Sequence, residues 1–478
     1  MKLVRTLGFA SGFIVHAIIL HGQDSHYWTQ QYGTKSMLLS GSVIGGVEDL
    51  GAVYYNPARL AVISSTAFLL SANVYELNTI KIQDAFGGSK NASSSTFKGV
   101  PTLAAGSFKI KSLPKHFFAY AILTRQNSDL NFSYQREVYQ DVLPSLPGNE
   151  YFGASLSAQS SSSQQWTGLS WSYAINPKVS IGVTTNYSLN KQSKGCDIGL
   201  EALSQSDQVA TYHYNRGYSY SQSSLLWKAG VASERKNWLL GLTITSPLVG
   251  IGGSGTYQYK EFYSPIAGIG TMPATYSTSN QSGLSLKYKS PWSIGFGATR
   301  KIGKNKIHFS AEWFSAVQKY TMMSTYHISQ SSPLDTIRFN LVDNDKSILN
   351  AGLGAEVFIN NKISGFVSFS TDFSTATGDV TRFIERKPEA SDGTWNSDFY
   401  HVGGGFVLSL NGAAITLGAT HTGATLVMPQ PINFPDNPSE PIFNSGSNAS
   451  ARWDRWRFVF SFSFPFLKNY TKRFTEQK

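Results

Sequence analysis

Cysteine is nearly absent from this 478-residue chain. The single Cys196 excludes an internal disulfide and supplies no metal cluster. Charge is also scarce, at 14% of residues against about 25% in soluble domains. A large soluble protein would cover its exterior with Lys and Glu; this chain has Gly, Ser, Thr and Asn instead. No later apolar run approaches the ~20 residues of a spanning helix, so a membrane form must be a closed barrel. Catalytic signatures are missing too. There is no Gly-x-Ser-x-Gly, no His-Glu-x-x-His and no phosphate-binding glycine loop between strand and helix. The nine histidines show no ligand spacing. No catalytic residue, cofactor or metal is therefore assigned. His308 and Glu312 share one strand face, which permits an acid–base pair, but isolated polar groups in a wet barrel are commoner. Membrane-embedded hydrolytic barrels exist, so an enzyme stays a minor alternative. Gly252-Gly253-Ser254-Gly255 falls in an expected long loop with no helix after it and reads as flexible.

What is abundant is Gly (43), Phe (30) and Tyr (24). From 455 to 464 every even position is aromatic: Trp456, Phe458, Phe460, Phe462 and Phe464. A strand places these on one face and Arg455, Arg457, Val459, Ser461 and Ser463 on the other. The same alternation runs through 179–190, 292–299 and 349–357, with one apolar face and one small or polar face. A strand buried on both faces does not read this way. Short turns are expected at 111–115, 176–178, 234–237, 303–305, 360–362 and 411–412. Long loops are expected at 85–99, 142–163, 193–207, 247–283, 326–344, 374–396 and 424–451. Six turns and seven loops join about fourteen strands. The fold class is all-β: a transmembrane antiparallel barrel with apolar side chains toward lipid and a polar lumen. Several alternating segments exceed the ~9–11 residues needed to cross, so the barrel projects above the membrane.

Residues 1–22 read as a secretory signal: Lys2 and Arg5, an apolar stretch over 7–20, and a mature start at Gln23. The barrel is expected over 65–466 and a basic periplasmic tail over 467–478. Residues 23–64 do not alternate. They hold small residues, the acidic pair Glu48-Asp49, and Asn56 placed to cap a helix with Pro57 at its first position. Their mixed polarity suits a plug of short helices inside the lumen. Here the chain resembles the FadL/TodX family of outer-membrane transporters for long-chain fatty acids and other hydrophobic compounds. The resemblance is carried by Glu48-Asp49, Ala52-Val53-Tyr54-Tyr55, Asn56-Pro57-Ala58 and Leu60-Ala61. It implies a fourteen-stranded barrel with an N-terminal hatch built on Glu48, Asp49, Asn56, Pro57 and Ala58. Arg59 stands where that family usually has Gly, and a tail follows the aromatic strand that usually closes such barrels.

The stretch 247–283 carries Leu248, Val249, Ile251, Ile266, Ile269 and Met272, a candidate ligand-binding loop at the outer mouth. Packing of these residues on neighbouring loops is the competing reading. The family resemblance implies capture of a hydrophobic small molecule, hatch movement and lateral release into the bacterial outer membrane. The alternative is a non-transporting barrel that scaffolds protein secretion or surface attachment. Its partner would be a periplasmic or secretion-complex protein. A general porin is a third reading. The net charge of +11 is scattered, which suits contact with outer-membrane lipid and lipopolysaccharide, or simple solubility, rather than nucleic acid.

Overall fold

The computed structural model describes residues 25–63, 68–71, 74–85, 90–100, 102–141, 146–265, 274–329, 336–377, 389–391, 397–410, 413–429 and 448–463. The leader 1–22, Ile266, Ile269, Met272, Phe464 and the tail 467–478 lie outside the described residues.

Alternation fixes the wall. Its strands are β1 (Phe68–Ser71 continuing as Val74–Gln83), β2 (Ala92–Val100 continuing as Leu103–Phe108), β3 (His116–Gln140), β4 (Glu150–Asn176), β5 (Val179–Leu203), β6 (Val209–Arg235) and β7 (Trp238–Thr245). There follow β8 (Ser293–Ile302), β9 (Asn305–Phe314), β10 (Ile348–Phe358), β11 (Ile363–Asp372), β12 (Phe399–Leu410), β13 (Ala413–Pro429) and β14 (Asn448–Ser463). The main sheet has eighteen segments. Two wall strands are each broken in two, and a hairpin of Val249–Ser264 and Thr275–Ser285 stands above β7, pairing with β6. Fourteen antiparallel wall strands remain among the described residues. Because β1 pairs with both β2 and β14, the sheet closes into a barrel.

Facing follows the sequence. Trp456, Phe458 and Phe460 are exposed on the outside, while Arg455, Arg457, Val459 and Ser461 are buried inside. Cross-strand pairs continue the outer band around the wall, through Tyr173–Ile181, Ile181–Val231, Val231–Leu242 and Leu242–Phe296. Leu353–Phe369, Phe369–Val402 and Leu417–Phe460 extend it on the other side. Such a belt removes apolar side chains from water only if acyl chains surround it.

Above the belt the polarity of the wall reverses. On β5 the outward residues Val179, Ile181, Val183, Tyr187 and Leu189 give way to Lys191, Ser193, Gly195 and Asp197. The inward series changes oppositely, from Ser180, Thr184, Asn186 and Asn190 to Cys196, Ile198, Leu200 and Ala202. β4 and β6 do the same, so β3–β6 and the hairpin form an outer lobe with a dry core of Phe132, Phe152, Leu156, Ile198, Tyr214 and Tyr259. Burial in that core pushes the Cys196 thiol up to about 12, away from reactivity. Much of 142–163, 193–207 and 247–283 is therefore strand, which corrects the expected long loops. β5 and β6 join through a tight turn, with Ser204 N–H donating to the Gln208 carbonyl at 2.9 Å. Gly252-Gly253-Ser254-Gly255 is likewise ladder paired with β6.

One stretch of wall is irregular. The β3–β4 register shifts between Thr124 and Gln126, so Arg125 bulges and faces inward, fully buried. Alongside, β2 pairs with β3 only over Leu103–Phe108. Among the described residues, no ladder pairing joins 92–100 of β2 to 126–140 of β3. The Lys98 Nζ–Asn127 Oδ1 contact at 3.4 Å bridges this seam.

Candidate functional site

Residues 25–63 fill the lumen. They include α1 (Lys35–Leu38), α2 (Ala52–Tyr55) and a 3-10 turn at Pro57–Val62. Two short helices bury few groups of their own, so the wall must satisfy the exposed backbone. It does so through inward polar side chains from around the ring.

The Asn56-Pro57-Ala58 element is the anchor at the short-turn rim. Asn56 caps the 3-10 turn, its Oδ1 accepting from Ala58 N–H at 3.1 Å. Its Nδ2 donates to the Ile44 carbonyl at 3.0 Å and to Val231 of β6 at 3.2 Å. Ala58's carbonyl accepts from Ser180 at 2.7 Å and Ser172 at 3.1 Å. The close approach depends on bare wall: a Cβ at Gly182 would lie 2.6 Å from Ala58 N and Pro57 C. Arg59, the departure from the family pattern, is buried and pairs with Glu234 of β6 at 2.7 Å.

Glu48 and Asp49 act differently. Glu48 reaches the wall, accepting from Lys306 Nζ of β9 at 2.7 and 2.8 Å. Burial alone would raise its pKa; the Lys306 charge, helped by Lys35 and Arg59, outweighs this and holds it below its ordinary value. Asp49 works within the plug, accepting from Thr34 N–H (2.9 Å), Ser36 N–H (3.2 Å) and Gly51 N–H (2.9 Å). Gly33, at φ +87°, turns the chain so these donors converge.

At its outer end the plug is gripped across the lumen. Asp372 of β11 accepts from Tyr27 N–H at 3.0 Å, Trp28 N–H at 2.9 Å and the Thr29 hydroxyl at 2.7 Å. Arg455 and Arg457 of β14 donate to the Thr29 carbonyl at 2.7 and 2.9 Å. Arg457 also binds Glu76 of β1 at 2.9 Å. Glu312 accepts from Trp28 Nε1 at 2.9 Å and Ser293 at 2.7 Å, whereas His308 contacts Thr299 at 3.0 Å. Those two share the expected face but each has its own partners.

Beside this grip lies a cavity of about 90 Å³. Ile80, Leu130, Phe399 and Trp453 supply its apolar wall, and Arg125, Asn127 and Arg455 its polar side. The His26 ring stacks on Phe399 at 3.7 Å between centroids, and Phe399 meets Trp453 at 4.4 Å. A second void of about 50 Å³ holds Tyr54, Trp166, Leu226, Lys228 and Leu248. Arg125 lines both, with its guanidinium 5.4 Å from the Tyr27 ring centre and donating to the His26 carbonyl at 3.3 Å. Of the expected loop residues that the structure describes, only Leu248 faces this interior. Val249 and Ile251 point outward from the hairpin, where Val249 extends the belt beside Leu225 and Tyr187.

Known structures share this fold. A Pseudomonas aeruginosa FadL homologue superposes with a TM-score of 0.57 at 11% identity, covering 92% of this chain and all of that one. The Pseudomonas putida toluene transporter TodX gives 0.58 at 12% identity, with 91% and 98% covered. For the Ralstonia pickettii toluene transporter TbuX the values are 0.53, 11%, 91% and 98%. The fold is that of the FadL-type barrels. No family model and no curated protein matches the sequence. Within a FadL-type barrel, Arg125, Asp372, Phe399 and Trp453 are cavity and grip residues that sequence reading did not single out. They come from four strands, β3, β11, β12 and β14, and no local sequence pattern joins them.

Proposed function

We propose that this chain carries hydrophobic small molecules, long-chain fatty acids or aromatic hydrocarbons, passively across the bacterial outer membrane. One observation carries the reading: a polar, plugged lumen holds an aromatic and aliphatic cavity next to the seam between β2 and β3. A water-filled pore offers an apolar solute nothing, whereas burial gains ~0.8 kcal/mol per CH₂. The proteins of like fold that transport toluene support the same substrate class. The cavity is smaller than the ~150 Å³ that houses a benzene in an engineered core, so loading requires the plug to shift.

In this reading residues 25–63 are the hatch, the short-turn rim faces the periplasm, and residues 1–22 are cleaved on export. Ligand reaches the cavity from the outer lobe, displaces the stretch around His26 and Thr29, and leaves sideways through the seam into the bilayer. No catalytic role is assigned. Solvent extraction and mass analysis of the purified protein tests the proposal. Bound fatty acid or aromatic hydrocarbon supports it. A stable secretion-complex partner with no bound ligand would favour a scaffold.

A further inference from the structure

The outward face of the lobe carries a groove of about 240 Å³. Its floor is two glycines paired across the ladder, Gly195 of β5 and Gly217 of β6. In the same row Gln159 of β4 pairs with Gly195, and Gln258 of the hairpin pairs with Gly217. Two amides about three strand spacings apart, ~14 Å, thus wall a strip of bare peptide. At one end Asp197 accepts from Asn215 Nδ2 at 2.9 Å. At the other, the Ser219 and Thr256 hydroxyls meet at 2.8 Å beside Ser193. Exposed Lys260 stands at the first end, opposite Asn215, and Lys191, two residues before Ser193, stands beyond the second.

Glycine weakens a strand interior and marks places where something approaches the backbone closely. At other glycines of this wall the plug is what approaches, as at Gly182, Gly230 and Gly297. At Gly217 a Cβ would meet only the Lys194 carbonyl at 3.4 Å and Gly195 Cα at 3.7 Å, which are ordinary contacts. At Gly195 the nearest atom is the flexible end of Gln159, Nε2 at 3.3 Å, which can shift, so backbone packing requires neither glycine. Nor does the groove suit a protein partner, whose interface core would be apolar and aromatic.

We propose that this groove binds an anionic saccharide segment, supplied by the glycolipid of the surrounding outer leaflet. The inference rests on the outer-membrane placement proposed above. The groove opens radially from the strands whose lower halves face lipid. Gly195 lies six residues beyond Leu189, the last apolar outward residue of that run, hence ~20 Å along the strand and ~15 Å above the belt's edge at the usual tilt. What stands beside the barrel at that height is the sugar portion of the leaflet. Amides, hydroxyls and bare peptide exchange hydrogen bonds with sugar hydroxyls, and the two lysines meet phosphate or carboxylate substituents.

The test is calorimetric titration of the full-length protein in detergent with lipid-free, phosphorylated core oligosaccharide. Wild type binds. Gly217→Val, which fills the groove without a backbone clash, weakens binding at least about tenfold, the scale of losing one or two hydrogen bonds. Lys191→Gln with Lys260→Gln weakens it and flattens its salt dependence, and neutral maltohexaose binds at least about tenfold less tightly than the phosphorylated probe. No binding by wild type, undiminished binding by Gly217→Val, or equal binding of maltohexaose overturns the proposal. Uptake of a hydrophobic solute by Gly217→Val stays at the wild-type level, so failure of the titration and failure of the transport reading are separate results.

Discussion

Asp372 and Arg455, on wall strands three apart, hold one stretch of the plug between them. The carboxylate takes the N–H groups of Tyr27 and Trp28, and the guanidinium gives to the carbonyl of Thr29. Hydrogen bonds to charged groups contribute about 1.5–3 kcal/mol each, so this grip sets how readily the outer end of the plug lifts. Asp372→Ala should leave the barrel inserted, raise ion leakage in planar bilayers and speed proteolysis near residues 26–31.

The Asn56 anchor predicts a contrast between two glycines. Gly182→Val drives its side chain into Pro57 and Ala58, an overpacking cost of about 1–3 kcal/mol that loosens the plug at the short-turn rim. Gly99→Val meets nothing within 4 Å. Conductance should rise in the first variant and stay unchanged in the second.

The reversal of polarity along β5 predicts opposite responses on one face of one strand. Ile181→Arg, in the belt, should destabilise the inserted barrel by about 2–4 kcal/mol if near the midplane. Ser193→Arg, outward in the lobe, should be close to neutral. Denaturant unfolding in lipid vesicles reads both.

The barrel was legible because outward and inward positions contrast strongly across the belt, as in 179–190 and 292–299. Contrast fades in the lobe. In 154–163 the alternating Ala154, Leu156 and Ala158 face a run of serines and one glutamine, and the serines then occupy both faces. Around 193–196 the polarity reverses through Lys194, Gly195 and Cys196, and the strand there looked like a loop. Val249 and Ile251 looked like a ligand loop because a belt edge and an exposed binding patch share the same composition. The acidic pair and the Asn56 cap could be located from local sequence. Their partners Lys306, Val231 and Ser180 could not, since closure of the ring alone brings them together.

Lateral release requires the seam to open. Lys98→Cys with Asn127→Cys, bridged by a short thiol-reactive linker, should abolish uptake of a labelled hydrophobic compound while binding it as well as the same double variant left unbridged. A cleavable linker should restore uptake when cut.

The central claim, an apolar ligand inside the lumen, is tested most directly by photo-labelling the protein in membranes with a diazirine-bearing hydrophobic probe. Adducts mapped by mass spectrometry should fall on Phe399, Trp453 and Leu130 and be competed away by unlabelled fatty acid or toluene. Adducts confined to outward residues such as Phe458 and Val402, with none in the lumen, would contradict the account.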